Sequence, residues 1–346
     1  MDYRRLGRTD LRVSAICLGT MTWGEQNSES EGHAQMDQAL DQGVNFWDAA
    51  EMYPVPPRQE TYGRTETIIG TWFARRGGRD RVVLATKVAG PDPRFGFLRG
   101  GDLAYTRVNL RRALEASLTR LQTDYVDLYQ LHWPERRVNC FGRLAYDGDP
   151  AKDGTPLAET LAGLGELVAE GKIRHVGLSN DTPWGVMRML QLAEAGVGPR
   201  PVSIQNPYNL LNRTFDVGLA EVALHEDCGL LAYSPLAMGL LTGKYEDGAA
   251  GPAARLNRFP VFARYSGDHA AAATAAYVAL ARQHGLDPGQ MALAFVNRRN
   301  FVTSTIIGAT SQAQLASNIA SLGVSLDPAV IDAIEQIHRR YTYPCP

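Results

Sequence analysis

The strongest constraint on this chain is an alternation. Short apolar runs recur at residues 15–18, 44–47, 81–86, 126–131, 173–178, 202–205, 230–233 and 303–307. Between them lie longer segments whose apolar residues return every three or four positions. In 108–121, for example, Leu110, Leu114, Leu118 and Leu121 form one stripe. Similar spacing marks 30–42, 65–75, 157–170, 183–195, 215–227, 270–284 and 311–319. Strand then helix, repeated, predicts parallel βαβ units, because a parallel pair needs a crossover long enough to hold a helix. Eight such units favour an α/β fold closed into a (β/α)8 TIM barrel over an open sheet, since closure leaves no edge strand.

Other segments lie outside the repeating unit. Residues 3–6 and 11–13 flank the turn signal Gly7-Arg8-Thr9-Asp10 and predict an N-terminal hairpin. Residues 328–340 predict an extra C-terminal helix. The connections 89–105, 133–156 and 240–268 are long and rich in Gly, Pro and charge, as functional loops often are. With no internal repeat and no linker composition, residues 1–346 are expected to form one barrel domain.

Composition narrows the function classes. The chain is 45% hydrophobic and 21% charged, with a net charge of −2 and a pI near 6.4. It lacks the basic excess expected of a nucleic-acid binder. It has no apolar run long enough to span a membrane, and its start, MDYRRLGRTD, has no secretory h-region. The four cysteines, Cys17, Cys140, Cys228 and Cys345, are scattered without CxxC spacing, which predicts free thiols in a reducing compartment. A cytoplasmic protein is expected.

Three ionisable residues directly follow predicted strands: Asp48 after 44–47, Lys87 after 81–86 and His132 after 126–131. In a barrel of this kind the C-terminal strand ends carry the active site. Tyr53 lies five residues beyond Asp48 and reaches the same rim. Taken singly, each has an ordinary structural explanation: a helix cap for Asp48, a solvated strand end for Lys87, a satisfied core histidine for His132, packing in a proline-rich stretch for Tyr53. Taken jointly, they describe a coherent site. A phenol with a reference pKa near 10 keeps its proton at neutral pH and can donate it to a carbonyl oxygen as hydride reaches carbon. The Lys87 ammonium is expected to lower the Tyr53 pKa, Asp48 to hold Lys87 charged, and His132 to hydrogen-bond the carbonyl oxygen. No Cys/His/Asp cluster at metal-ligand spacing is present in the sequence.

At this point the sequence resembles the aldo-keto reductases. The motifs are Gly19-Thr20-Met21, NFWDAAEMY at 45–53, Ala85-Thr86-Lys87, DLYQLHWP at 127–134, GKIRHVGLSN at 171–180, Gln205-Asn206-Pro207-Tyr208, YSPLAMGLLTGKY at 233–245 and IIGATSQAQLASN at 306–318. They run in family order along nearly the whole chain. The runs GTMTWGEQNSE, AEMYPVPPR and LQTDYVDLYQLHWP and the ending YTYPCP are most similar to a bacterial branch of that family.

The resemblance implies a barrel that binds an extended nicotinamide dinucleotide, with Asp48, Tyr53, Lys87 and His132 as catalytic tetrad. It implies that Ser179, Asn180 and Gln205 hold the carboxamide and that Tyr233 stacks on the nicotinamide. Ser234, Leu236, Gly239, Leu241 and Lys244 would line the pyrophosphate path. Gly308, Ala309, Thr310, Gln314 and Asn318 would bind the adenosine end, with Thr310 and Gln314 near the 2′-phosphate. Many relatives carry an arginine near the position of Gln314, which cannot make a charge-assisted fork to phosphate. Arg255, Arg258 and Arg264 would compensate by folding over the cofactor. NADP(H) is favoured, with NAD(H) as the alternative. The substrate is expected to be a small carbonyl compound held by Trp23, Tyr53, His132 and Trp133, although Trp23 fits barrel packing equally well. A monomer is the family default.

Two rival classes stand beside this one. One is a cofactor-binding regulatory protein resembling the potassium-channel β subunits. The other is a lyase or isomerase using Lys87 as a Schiff-base amine, which gives the cofactor residues no role.

Overall fold

The computed structural model describes residues 1–246, 248, 250–259 and 263–346. Eight strands close into a parallel barrel. In chain order they are β3 (Ile16–Gly19), β4 (Phe46–Asp48), β5 (Val83–Val88), β6 (Val126–Leu131), β7 (Ile173–Ser179), β8 (Pro201–Pro207), β9 (Gly229–Tyr233) and β10 (Val302–Ile307). Each pairs in parallel with the next, and β10 returns to β3. The expected barrel is therefore present. A hairpin of β1 (Tyr3–Arg5) and β2 (Arg12–Ser14) precedes it.

The helices pack outside the barrel. They include α1 (Glu29–Asp41), α2 (Arg64–Arg76), α3 (Arg107–Leu121), α4 (Leu157–Ala169), α5 (Pro183–Glu194), α6 (Leu219–His225), α7 (Arg255–Arg258), α8 (Asp268–Gln283), α9 (Pro288–Asn297), α10 (Gln312–Ala320) and α11 (Pro328–Arg340). Their starts follow capping chemistry. Ser28 and Glu31 form a reciprocal capping box on α1, and Thr106, Thr182, Asp287 and Ser311 accept backbone N–H groups at α3, α5, α9 and α10.

Three expectations need correction. The helix expected over 215–227 starts only at Leu219, because Gly218 at φ +84° breaks it from a 3-10 turn at Thr214–Asp216. Between β9 and β10 the fold inserts α9 as well as α8. The third strand begins at Val83, behind a 3-10 turn at Arg79–Arg81, and runs on to Val88. Lys87 is thus within a strand and Asp48 closes one, whereas His132 does follow its strand, as expected.

The barrel interior is layered. Its lower half is apolar: Cys17, Phe46, Val83, Ala85, Leu128, Val202, Leu231 and Ile306 pack together. Leu6 and Val13 of the hairpin close that end as a plug in the same cluster. One pleat higher on the same strands, two residues on, the inward positions turn polar: Phe46 gives way to Asp48, Ala85 to Lys87 and Leu128 to Gln130. Burying the eight Leu, Val, Ile and Phe side chains of this cluster, at roughly 1.5–3 kcal/mol each, makes a floor rigid enough to hold polar groups above it. Glycine makes the space. A Cβ on Gly177 would stand 3.1 Å from the Gln130 Cγ and 2.8 Å from the Ser203 Oγ.

Candidate active site

Lys87 sits at the centre of the polar layer and is fully buried. Its ammonium donates to Asp48 Oδ2 at 2.6 Å, to the Ala49 carbonyl at 2.8 Å and to the Tyr53 hydroxyl at 3.3 Å. An ammonium has three hydrogens and no lone pair, so these three acceptors use it completely. The Tyr53 oxygen is an acceptor here, which leaves its own O–H to point elsewhere. Burial opposes the charge on Lys87, but Asp48 and Tyr53 outweigh it and hold the pKa above its ordinary value.

Asp48 is fixed by more than Lys87. Its Oδ1 accepts from Gln205 Nε2 at 2.8 Å and from Gln130 Nε2 at 3.1 Å, and Gln205 Nε2 also donates to Gln130 Oε1 at 3.1 Å. These contacts cross the barrel from β4 to β6 and β8. Gln130 was not singled out in the sequence. Its signal is one glutamine at an inward position of the apolar strand 126–131, two residues after Leu128.

Tyr53 and His132 face each other across this layer, their rings 5.8 Å apart at 78°. Burial pushes the Tyr53 phenol above its ordinary pKa, with Lys87 acting against that push. This corrects the expected lowering: the ammonium is already neutralised by Asp48, so desolvation of the phenolate wins. His132 is held well below its ordinary pKa by burial and by the Lys87 charge, and is therefore neutral. Its backbone N–H donates to the Val88 carbonyl at 3.0 Å, and its carbonyl accepts from Asn180 Nδ2 at 2.9 Å. The four expected tetrad residues thus meet in one place.

Trp133 stacks obliquely on His132, with ring centres 4.9 Å apart, and lies 5.6 Å from Phe95. Together with Ala50, Met52, Tyr53, Leu98 and Leu103 it forms an apolar wall beside the tetrad. Phe95, Leu98 and Leu103 come from the long connection 89–105. Trp23 does not belong to this wall. It is fully buried under α1, its indole donating to Gln35 Oε1 at 3.3 Å and its carbonyl accepting from Thr65. Its expected place in the substrate pocket is corrected: it is core packing. A separate cleft of about 270 Å³, lined by residues such as Leu157, Trp184, Arg188 and Met189, opens beside α4 and α5, and none of the tetrad lines it.

The residues expected at a dinucleotide lie towards the C-terminal ends of β7, β8, β9 and β10 or in the segments that follow them. Ser179 donates to the Gln205 carbonyl at 2.8 Å. Asn180, at φ +54°, presents Oδ1 to the Tyr233 hydroxyl, which donates at 2.6 Å. Farther along, Ser234, Leu236, Gly239 and Leu241 lie in and before the 3-10 segment Ala237–Thr242. Gly239 stands at φ +95°, and a Cβ there would come 2.9 Å from the Lys244 Nζ. The positive φ favours glycine here, and this backbone lies close enough to the Lys244 ammonium to suit a diphosphate. Burial lowers the Lys244 pKa. At the far end Gly308 has open space where its Cβ would be, Asn318 Nδ2 donates to its carbonyl at 3.2 Å, and Ala309 is buried beside it. Gln314 Oε1 accepts from the Thr310 backbone N–H and hydroxyl, turned onto its own loop. These residues fit a nicotinamide dinucleotide.

The three arginines expected over the phosphate end separate. Arg258 lies 3.6 Å from Glu25, on the side where Asn27 donates to the Thr310 carbonyl. Arg255 approaches Met21 Sδ at 3.8 Å and interacts with Tyr53; burial draws its pKa down to about 10. Arg264 hydrogen-bonds Tyr233 and donates to the Pro346 carbonyl at 3.3 Å. The three thus approach different partners among the described residues: Tyr53, Glu25 and Tyr233. The rest of the connection 240–268 lies partly outside the described residues.

A closed parallel barrel with a buried Lys–Asp pair holding a tyrosine hydroxyl at its mouth is an enzyme architecture, and comparison with known proteins gives its class. Residues 15–339 match the model of the Aldo/keto reductase family. The chain belongs to that family and is an oxidoreductase. It is 54% identical to "Protein tas" of Escherichia coli K12 over 346 residues, the full length of both chains, in keeping with the expected bacterial branch. It is 35% identical to "Uncharacterized oxidoreductase YrpG" of Bacillus subtilis, covering 97% of this chain and 96% of that one. It is 32% identical to "L-glyceraldehyde 3-phosphate reductase" of Escherichia coli K12, covering 93% and 88%. Among the described residues, no helix is long and apolar enough to cross a membrane.

Proposed function

We propose that this chain reduces small aldehydes or ketones to alcohols at the expense of NADPH, with Tyr53 as the general acid. The observation that carries this reading is the full use of the Lys87 ammonium, whose third hydrogen goes to the Tyr53 oxygen. A tyrosine that accepts from lysine has its own proton available for a carbonyl oxygen. The phenolate left behind is stabilised by the same ammonium. Neutral His132 presents its imidazole on the same side and orients the carbonyl. The bound nicotinamide supplies the hydride. Ser179, Asn180 and Gln205 would hold its carboxamide, Tyr233 would lie against its ring, and Gly239 with Lys244 would hold the diphosphate.

Arg258, 3.6 Å from Glu25 in the segment whose Asn27 donates to the Thr310 carbonyl, supports NADP(H) over NAD(H) through its charge, although Glu25 shares it. The aromatic wall of Phe95 and Trp133 favours apolar or aromatic carbonyl substrates. The free thiols Cys17, Cys140, Cys228 and Cys345 support a reducing compartment such as the cytoplasm. Fluorescence titration with NADPH and NADH, followed by an aldehyde panel read by cofactor oxidation, tests the reading. Tighter NADPH binding and turnover of aromatic aldehydes are expected. Tight binding with no turnover across the panel would point instead to a cofactor-binding regulatory role, and equal affinities would remove the NADPH preference.

A further inference from the structure

The loop that carries Tyr53 holds a second buried charge pair that takes no part in the chemistry described above. Glu51, two residues before Tyr53, is 3% exposed. Its Oε1 accepts from the Ala89 backbone N–H at 2.5 Å and from Arg99 Nη1. Arg99 also donates from Nη2 to the Ala89 carbonyl at 2.9 Å. Both side chains of the pair are buried, at 8% and 4% exposure. The Glu51 backbone N–H donates to the Lys87 carbonyl at 3.1 Å. One residue therefore ties the Tyr53 loop to the strand that carries Lys87, through its backbone, and to the connection 89–105, through its side chain.

The placement has a cost that needs a reason. A buried ion pair recovers its desolvation only with good geometry, and an apolar pair of similar volume is often as stable. Arg99 adopts φ +48°, an unfavourable region for arginine, ahead of Gly100 at +72° and Gly101 at +86°. The connection is bent so that Arg99 turns inward. Just before it, Phe95 and Leu98 pack with Met52, Tyr53 and Trp133. Burial raises the Glu51 pKa, and Arg99 opposes that rise.

We propose that Glu51 and Arg99 form a positioning latch that fixes the Tyr53 hydroxyl against Lys87 while locking the aromatic wall of the substrate pocket to the same loop. Neither residue touches the reacting atoms. The latch sets the distance and direction of proton delivery, and it couples the seating of substrate on Phe95 and Trp133 to the pose of Tyr53. This inference rests on Tyr53 being the proton donor.

The test compares Arg99→Met, Arg99→Lys and the double variant Glu51→Gln/Arg99→Met with the parent, using NADPH and 4-nitrobenzaldehyde. A misplaced acid should lower kcat on the order of 10- to 100-fold in Arg99→Met, while the NADPH Kd stays within about two-fold. The primary deuterium isotope effect on kcat, with NADPH deuterated at the transferred position, should rise as chemistry becomes slower. Arg99→Lys, which can still pair with Glu51, should recover part of the loss. The double variant, which strands no charge, should remain slow. Three results would overturn the latch: parental kcat in Arg99→Met, parental kcat in the double variant, or kcat and NADPH affinity lost together with near-UV dichroism. Tyr53→Phe run alongside separates the two readings. If it turns over at the parental rate, the assignment of the acid fails; if it is inactive while Arg99→Met is not impaired, only the latch fails.

Discussion

Replacing Asp48 with asparagine removes the charge that holds Lys87 and changes little in shape. At 2.6 Å the pair is worth about 6 kcal/mol of attraction at an effective dielectric near 20, part of which is cancelled by desolvation. Removing one partner of a buried pair costs about 3–5 kcal/mol, because the other charge is left uncompensated. In the parent, Lys87 has its pKa raised, so its contribution is fully present below the unfolded value near 10.5 and is lost only as the pH rises through the folded value. In Asp48→Asn, burial acts without its main opponent and the folded pKa falls below the unfolded one. Protonation then favours the unfolded chain. The variant should be about 3–5 kcal/mol less stable than the parent at pH 7, and the gap should narrow as the pH is raised and the buried amine loses its proton. Urea unfolding followed by tryptophan fluorescence at pH 7 and pH 9.5 measures this. A gap below about 1 kcal/mol, or one that does not change between the two pH values, would refute the view of Lys87 as a cation held by Asp48.

Three further outcomes follow from the same geometry. Because burial and Lys87 hold the His132 pKa down, its imidazole C2 proton resonance should not titrate as the pH falls from 8 through the ordinary histidine range, and a normal titration near 6.5 would contradict its neutral role. Gly239→Ala places a Cβ 2.9 Å from Lys244 Nζ at φ +95°, so the NADPH Kd should rise by about ten-fold or more with stability reduced by roughly 1 kcal/mol; unchanged affinity would remove the diphosphate cradle. Trp23→Phe should lower stability by about 1–3 kcal/mol and leave the aldehyde KM unchanged, whereas a selective change in KM would return Trp23 to the substrate pocket.

The barrel was legible in the sequence because strand and helix periods differ and each unit repeats both. The grouping of Asp48, Tyr53, Lys87 and His132 was legible for a related reason: each has an ordinary structural explanation alone, but three fall at or next to the ends of apolar strands and the fourth lies in the loop after one, so that a barrel brings them to one rim. What escaped sequence reading depends on contacts between distant strands. Gln130 reads as one polar residue in a strand until β4 and β8 bring Asp48 and Gln205 against it. Trp23 looks like a pocket aromatic because it follows the first barrel strand, yet α1 folds over it and Gln35 takes its indole N–H. The direction of the Tyr53 shift was misread because a neighbouring ammonium is visible in the sequence, but the depth of its burial and its prior neutralisation by Asp48 are not. The arginines 255, 258 and 264 are close in the chain, yet they approach different partners, Tyr53, Glu25 and Tyr233.

The central claim is that Tyr53 gives up the proton. Tyr53→Phe keeps the ring that packs against His132 and Trp133 and deletes only the hydroxyl held by Lys87. NADPH binding by fluorescence titration and turnover of an aromatic aldehyde should be measured on the same preparation. Loss of a general acid predicts a fall in kcat on the order of 100-fold or more with the NADPH Kd nearly unchanged. Parental turnover by Tyr53→Phe would contradict the account.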